Sequence, residues 1–207
     1  MKIRITFLFL LITSSFYAQI SKEKMWRADA IKTVTIAGSG VFKINVKNGT
    51  SDTITLKVKI DGEYAQNLVV LDSVSAETLF ISSAFQPLFV SDNDKLSAHK
   101  VLSVEYELLV PEHMSLDVKS DIASVAIVGI YTAVFIESNQ GSCQLKEFLG
   151  DAVINTIDGN IAVQTNLAKV EAFSKTGTVE ILQFKYGKYA ISCHSINGNI
   201  IVTRIEK

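Results

Sequence analysis

The 207-residue chain sets 20 basic against 21 acidic side chains and is 48% hydrophobic. So even a balance gives no electrostatic footprint for nucleic acid or for an anionic membrane surface. The length suits one domain, or one elongated domain with two differing parts.

Met1-Lys2-Ile3-Arg4, an apolar run over 5–12 and then Thr13-Ser14-Ser15-Phe16-Tyr17-Ala18 have the form of a secretory signal peptide. Cleavage is expected after Ala18, and the apolar run is too short to span a membrane. No cysteine follows it to carry a lipid anchor, and no later run is long enough for a transmembrane helix. The expected location is therefore outside the cytoplasm, in the periplasm or at the cell surface. Residues 19–30 are mostly polar, with Met25 and Trp26 among the few bulky apolar side chains, and read as a poorly ordered lead-in whose Trp26 packs on the first coil.

An N-terminal half of irregular β structure is expected over 31–111. Its strand-like runs are 33–37, 41–47, 53–60, 68–74, 78–82 and 102–110, separated by turn clusters such as Gly38-Ser39-Gly40 and Asp61-Gly62. Alternation is clearest in Ile54, Leu56, Val58 and Ile60. Asn48-Gly49-Thr50 matches a glycosylation sequon but reads better as a hairpin turn. Residues 83–100 lose periodicity and form the longest loop, where function tends to sit. Asp92, Asn93 and Asp94 in that loop could meet a hard cation or a partner, but their spacing lacks the full calcium-loop pattern.

The stretch 112–207 repeats itself. Taking Ala123, Gly141, Gly159, Gly177 and Gly198 as pivots, the first four are 18 residues apart and the last step is 21. Seven before each pivot stand Leu116, Val134, Ala152, Val170 and Ile191; five before, Val118, Ile136, Ile154, Ala172 and Cys193. Two after stand Val125, Cys143, Ile161, Val179 and Ile200; four after, Ile127, Leu145, Val163, Ile181 and Val202. A repeat this short cannot hold a helix pair, which needs about 33 residues. It suits five coils of a β-solenoid, a strand on each side of the pivot, with equivalent strands stacked about 4.8 Å apart. Ser120, Ser138, Thr156, Ser174 and Ser195, three before the pivots, are placed to bond the turning backbone. The pivot glycines suit a turn with φ above zero. In this register Cys143 and Cys193 lie in different columns and three coils apart, roughly 14 Å. That exceeds the reach of a disulfide, about 7 Å between Cα atoms, so two buried free thiols are expected.

Chemistry-bearing patterns are missing. His99, His113 and His194 are scattered, with no pair at metal-ligand spacing and no His-Glu-x-x-His, Cys-x-x-Cys or Gly-x-Ser-x-Gly. Outward positions in successive coils (Asp117 and Lys119, Phe135 and Glu137, Val153 and Asn155, Glu171 and Phe173, Ser192 and His194) form no carboxylate cluster of the kind a polysaccharide-cleaving β-helix needs. No catalytic residue, cofactor or metal is expected. The outward Phe135, Val153, Phe173 and Ile201 are either a partner patch or are covered by the corner segments and the N-terminal half, and coverage is the expected arrangement. If a patch is present, Phe135 and Phe173 are its candidate residues, beside Asp92, Asn93 and Asp94 in the loop.

The junction Glu105-Tyr106-Glu107-Leu108-Leu109-Val110-Pro111, then Leu116-Asp117-Val118, then turns such as Ile157-Asp158-Gly159-Asn160-Ile161 and Ile196-Asn197-Gly198-Asn199-Ile200, together resemble the putative-adhesin β-solenoid domains common in Bacteroidetes, including the head domain of putative autotransporter adhesins. The resemblance covers about residues 30–205 and implies an all-β, right-handed β-helix-like roll outside the cytoplasm, with no catalytic residues to carry over. The expected function is an exported, non-catalytic, adhesin-like protein of the cell envelope that binds a protein or glycan partner. A structural or regulatory periplasmic protein is the alternative, and a carbohydrate-active enzyme the third reading.

Overall fold

A computed structural model describes residues 20–62, 64–90, 102–184 and 187–206. The expected leader at 1–18 and Asp92, Asn93 and Asp94 lie outside these. The chain is all-β, and its strands join one hydrogen-bonded sheet with two ladders. The first ladder runs β5 (Leu68–Ser75), β6 (Thr78–Phe85), β2 (Thr33–Ala37), β8 (Ser115–Ser120), the second half of β9 (Ser124–Ser138), the second half of β10 (Cys143–Thr156), β14 (Tyr189–Ser195) and β12 (Ala168–Ser174). The second runs β1 (Ile20–Arg27), β4 (Thr53–Asp61), β7 (Ser103–Val110), β3 (Lys43–Asn48), the first halves of β9 and β10, β11 (Ile161–Thr165), β15 (Ile200–Arg204) and β13 (Val179–Ile181). Pairing is parallel except between β5 and β6, β1 and β4, and β4 and β7.

Alternation explains the burial. Leu116, Val118, Val125, Ile127 and their equivalents point inward from both ladders and form one core. A slip of one residue would turn each such set outward, so the columns hold register. Val125, Cys143 and Ile161 stand side by side, as do Leu116, Val134 and Ala152.

The stacking order departs from the sequence order. Ala152 pairs with Ile191 rather than Val170, and Ile161 pairs with Ile200 rather than Val179. The rung around Gly198 is therefore inserted ahead of the rung around Gly177, which becomes the end of the stack. Ile191, Cys193 and Ile200, larger than Val170, Ala172 and Val179, take the covered place. The chain needs extra length to step back past a rung, and it has it in the three additional residues between these pivots.

Three other expectations change. Residues 20–27 form β1, an edge strand antiparallel to β4, instead of a poorly ordered lead-in. Its inward positions hold Lys22 and Lys24, so the period of two does not show in the apolar pattern. Asn48-Gly49-Thr50 is not a hairpin turn, because β7 lies between β3 and β4. The Asn48 side chain instead accepts from the Ile130 N–H at 2.5 Å and donates to the Pro111 carbonyl at 3.3 Å. Finally, β2 and β3 pair with β8 and β9, placing Val34, Ile36, Ile44 and Val46 in the same columns as the repeats, 82 or 81 residues ahead of their neighbours.

The corners follow the hydroxyl reading. Ser120 Oγ accepts from the Ala123 N–H at 2.9 Å, Ser174 Oγ from the Gly177 N–H at 3.0 Å and Ser195 Oγ from the Gly198 N–H at 2.8 Å. Thr156 Oγ1 donates to the Gly159 carbonyl at 2.8 Å. The glycines are a different matter. Of the four glycine pivots, Gly141 has a positive φ, +94°. At Gly159, Gly177 and Gly198 the demand is for space, because a Cβ there would lie within 2.3 Å of a carbonyl oxygen in the neighbouring rung.

Both cysteines are buried free thiols. The exchanged order brings them two rungs apart rather than three, on opposite ladders. Burial pushes each thiol up to about 12. Neither should react with a thiol-alkylating reagent at neutral pH in the folded protein, and both should react at once in denaturant. Mass spectrometry of labelled protein checks this, and rapid native labelling of Cys193 would overturn its placement in the core.

Candidate binding surface

The outward residues of the first ladder make two rows along the stack. One row runs Thr35, Asp117, Phe135, Val153, Ser192 and Glu171. The other runs Ala37, Lys119, Glu137, Asn155, His194 and Phe173. Among the described residues the expected cover is absent. Val153 is 40% and Phe173 60% exposed, and Phe135 is half-buried. The reason lies in the fold: β2 and β3 extend the stack end to end, and so do not lie over its face. Ile201 is also exposed, but on the outer face of the second ladder.

Phe135 and Phe173 therefore share one face, three strands or about 14 Å apart across the sheet. Lys119 links the two rows near Phe135. Its ammonium lies 5.9 Å from the Phe135 ring centroid and 3.1 Å from Glu137 Oε2. Glu137, and behind it Asp117, hold the Lys119 ammonium above its usual range. At the far end Phe173 is the cross-strand neighbour of His194, whose Nδ1 is 3.4 Å from Ser192 Oγ. Apolar and aromatic side chains are thus interspersed with Asn, Ser, His and Glu along the two rows. Such a face can stack on a ring or an apolar side chain while hydrogen-bonding its edges.

Among the described residues, two concavities lie elsewhere. On the second ladder a groove of about 560 Å³ is lined by Glu23, Lys43, Lys47, Lys57, Glu107 and Leu109 among others. Glu23, Lys57 and Glu107 alternate in charge across β1, β4 and β7, and Lys59 Nζ lies 2.6 Å from Glu107 Oε1. Lys59 holds the Glu107 carboxyl below the usual carboxylate range. A second hollow, about 570 Å³, lies in the corner before β8 and includes Asp29, Asp52, Glu112 and His113. Among the described residues no three His, Cys, Asp or Glu side chains are grouped to hold a metal ion. No helix among them is long and apolar enough to cross a membrane. Neither groove was legible in the sequence, since each draws on strands far apart in the chain.

No family model matches the chain, and no curated protein matches its sequence. Among solved structures, a putative cell adhesion protein from Clostridium sporogenes superposes with a TM-score of 0.66 at 12% identity, over 90% of this chain and 100% of that one. The two share a fold. A putative adhesin from Bacteroides fragilis covers 90% of this chain and 98% of its own, at 11% identity and a TM-score of 0.42. A putative lipid binding protein from Parabacteroides distasonis reaches 0.34 at 12% identity over 90% of this chain and 97% of its own.

Proposed function

We propose that this is an exported, non-catalytic, adhesin-like β-solenoid of the bacterial cell envelope, binding a protein or glycan partner through the outer face of the first ladder. Parallel strands offset by 18 residues support reading the rungs as solenoid coils. The leader at 1–18 supports export, and the fold held in common with a putative cell adhesion protein supports the adhesin-like role. The observation that carries the site is the exposed strip from Phe135 and Val153 to His194 and Phe173, which Thr35 and Asp117 separate from the exposed Phe80 of β6 in the same row. Extended faces of stacked repeats are used in this way.

The test is a glycan array probed with the mature protein and with a Phe135→Ala/Phe173→Ala double variant. Loss of two anchoring aromatics should weaken binding at least about tenfold. Binding that survives the double substitution would move the site elsewhere. Capture of an envelope protein with no glycan signal would favour the structural or regulatory periplasmic role. Protease treatment of intact cells separates the two locations: loss of the protein places it outside, and protection until lysis places it in the periplasm.

A further inference from the structure

The two ends of the stack are finished differently. At the N-terminal end, Lys22 and Lys24 reach from β1 across the open rung, donating to the Leu68 carbonyl at 2.6 Å and the Val70 carbonyl at 3.0 Å on β5. Lys24 also pairs with Asp72, and the Trp26 indole N–H donates to the same carboxylate at 2.9 Å. Lysine stems thus cover the end of the core and their ammonium groups occupy edge carbonyls, two devices that discourage strand addition.

At the C-terminal end, among the described strands, β12 pairs with β14 alone and β13 with β15 alone. Val170, Ala172, Val179 and Ile181 continue the core columns there, but are only half-buried or exposed, where Ile191, Cys193, Ile200 and Val202 behind them are at most 2% exposed. The main chain is open at the same residues. The Leu167 carbonyl accepts from the Tyr189 N–H, and the Lys175 N–H donates to the Ser195 carbonyl. Odd-numbered residues of β12 therefore bond β14. Ala168, Val170, Ala172 and Ser174 turn their N–H and C=O groups to the free side.

We propose that this edge is a self-association site, at which β12 adds antiparallel to β12 of a second copy with Val170 on the two-fold axis. Charge selects both the partner and the register. Lys169 and Glu171 flank Val170 on the outward face, with Nζ and Oε1 3.3 Å apart. Centring on Val170 sets Lys169 opposite Glu171 of the second copy, twice, and sets Ala168 opposite Ala172. Centring on Glu171 would oppose two carboxylates, which is unfavourable. The contact is isologous and closes as a dimer. One seven-residue strand from each copy makes a small seam, so the dimer is weak and depends on concentration. β12 also carries Glu171 and Phe173 of the outer face above, but the pairing proposed here uses its main-chain edge and does not rest on the proposed adhesin role.

Sedimentation of the mature protein over a concentration series reaching about 1 mM tests it. A reversible monomer–dimer equilibrium is expected. Glu171→Lys, which sets lysines opposite each other, should weaken it on the order of tenfold or more. Lys169→Glu should do the same. An equimolar mixture of the two variants restores opposite charges at both contacts and should recover wild-type association as a heterodimer. Both side chains are exposed, so the variants should fold normally, which circular dichroism verifies. A monomer throughout the series, a dimer indifferent to Glu171→Lys, or a mixture that fails to recover would each overturn the proposal.

Discussion

Gly198→Ala is expected to destabilise the protein by about 3 kcal/mol or more. An added Cβ would lie 1.9 Å from the Gly159 carbonyl oxygen, 2.5 Å from its carbon and 2.8 Å from Ser195 Oγ. The first two atoms are backbone of the adjoining rung, held in place by its own parallel ladder, so neither can move aside alone. Relief by opening the corner would break the Gly198 N–H bond to Ser195, inside a buried hydroxyl pair with Thr156. The melting midpoint should fall by roughly 6–12 °C, at about 2–4 °C per kcal/mol for a chain of this size. Gly40→Ala is the control. It has φ +70° but no atom within 4 Å of the added carbon, so only the conformational cost of about 1–2 kcal/mol applies. Equal losses at both positions in thermal melts would show that backbone conformation rather than crowding governs these corners.

The glycines illustrate how far the sequence could be read. Their positions were legible because a corner recurs every 18 residues, but the reason for them was not. An isolated turn asks for a dihedral angle; a stacked turn asks for room above and below, and no single repeat displays its neighbours. The rung exchange was hidden by a similar degeneracy. Val170 and Ile191, Ala172 and Cys193, Val179 and Ile200 are interchangeable in class, so hydrophobic pattern alone does not say which set adjoins Ala152 and Ile161. The three surplus residues before Ile191 were the available sign, and they read equally well as a bulged corner. Strand β1 escaped because its inward face is closed by lysines. For the binding face, the outward parity of Phe135 and Phe173 followed from alternation. That Phe173 adjoins His194 and stays exposed depended on the stacking order and on how the N-terminal half joins the stack.

Phe148→Ala should cost about 3–5 kcal/mol, the usual range for truncating a fully buried aromatic ring. Strict alternation from Cys143 and Leu145 would send Glu147 into the core. A bulge prevents it: the pairing of β10 with both neighbours shifts register here, and Glu147 takes a φ of +47°. The extra residue re-aims the strand and turns Phe148 inward, the usual consequence of a bulge. Its ring stacks on Tyr131 with centroids 6.1 Å apart and planes 16° from parallel, filling the corner opposite the turns. Tyr131 is fixed in turn by donating its hydroxyl to the Val128 carbonyl at 3.1 Å. Alanine would leave a cavity beside a bulged strand that belongs to both ladders, so the loss should appear as a lower urea midpoint with an unchanged slope. Phe148→Leu keeps most of the volume and should cost about 1.5 kcal/mol. Phe173→Ala, an equally large truncation on the exposed strip, should stay within about 0.5 kcal/mol of wild type. A Phe173 variant as damaging as Phe148→Ala would mean that the strip is held against something in the folded protein, and the binding face would have to be sought elsewhere.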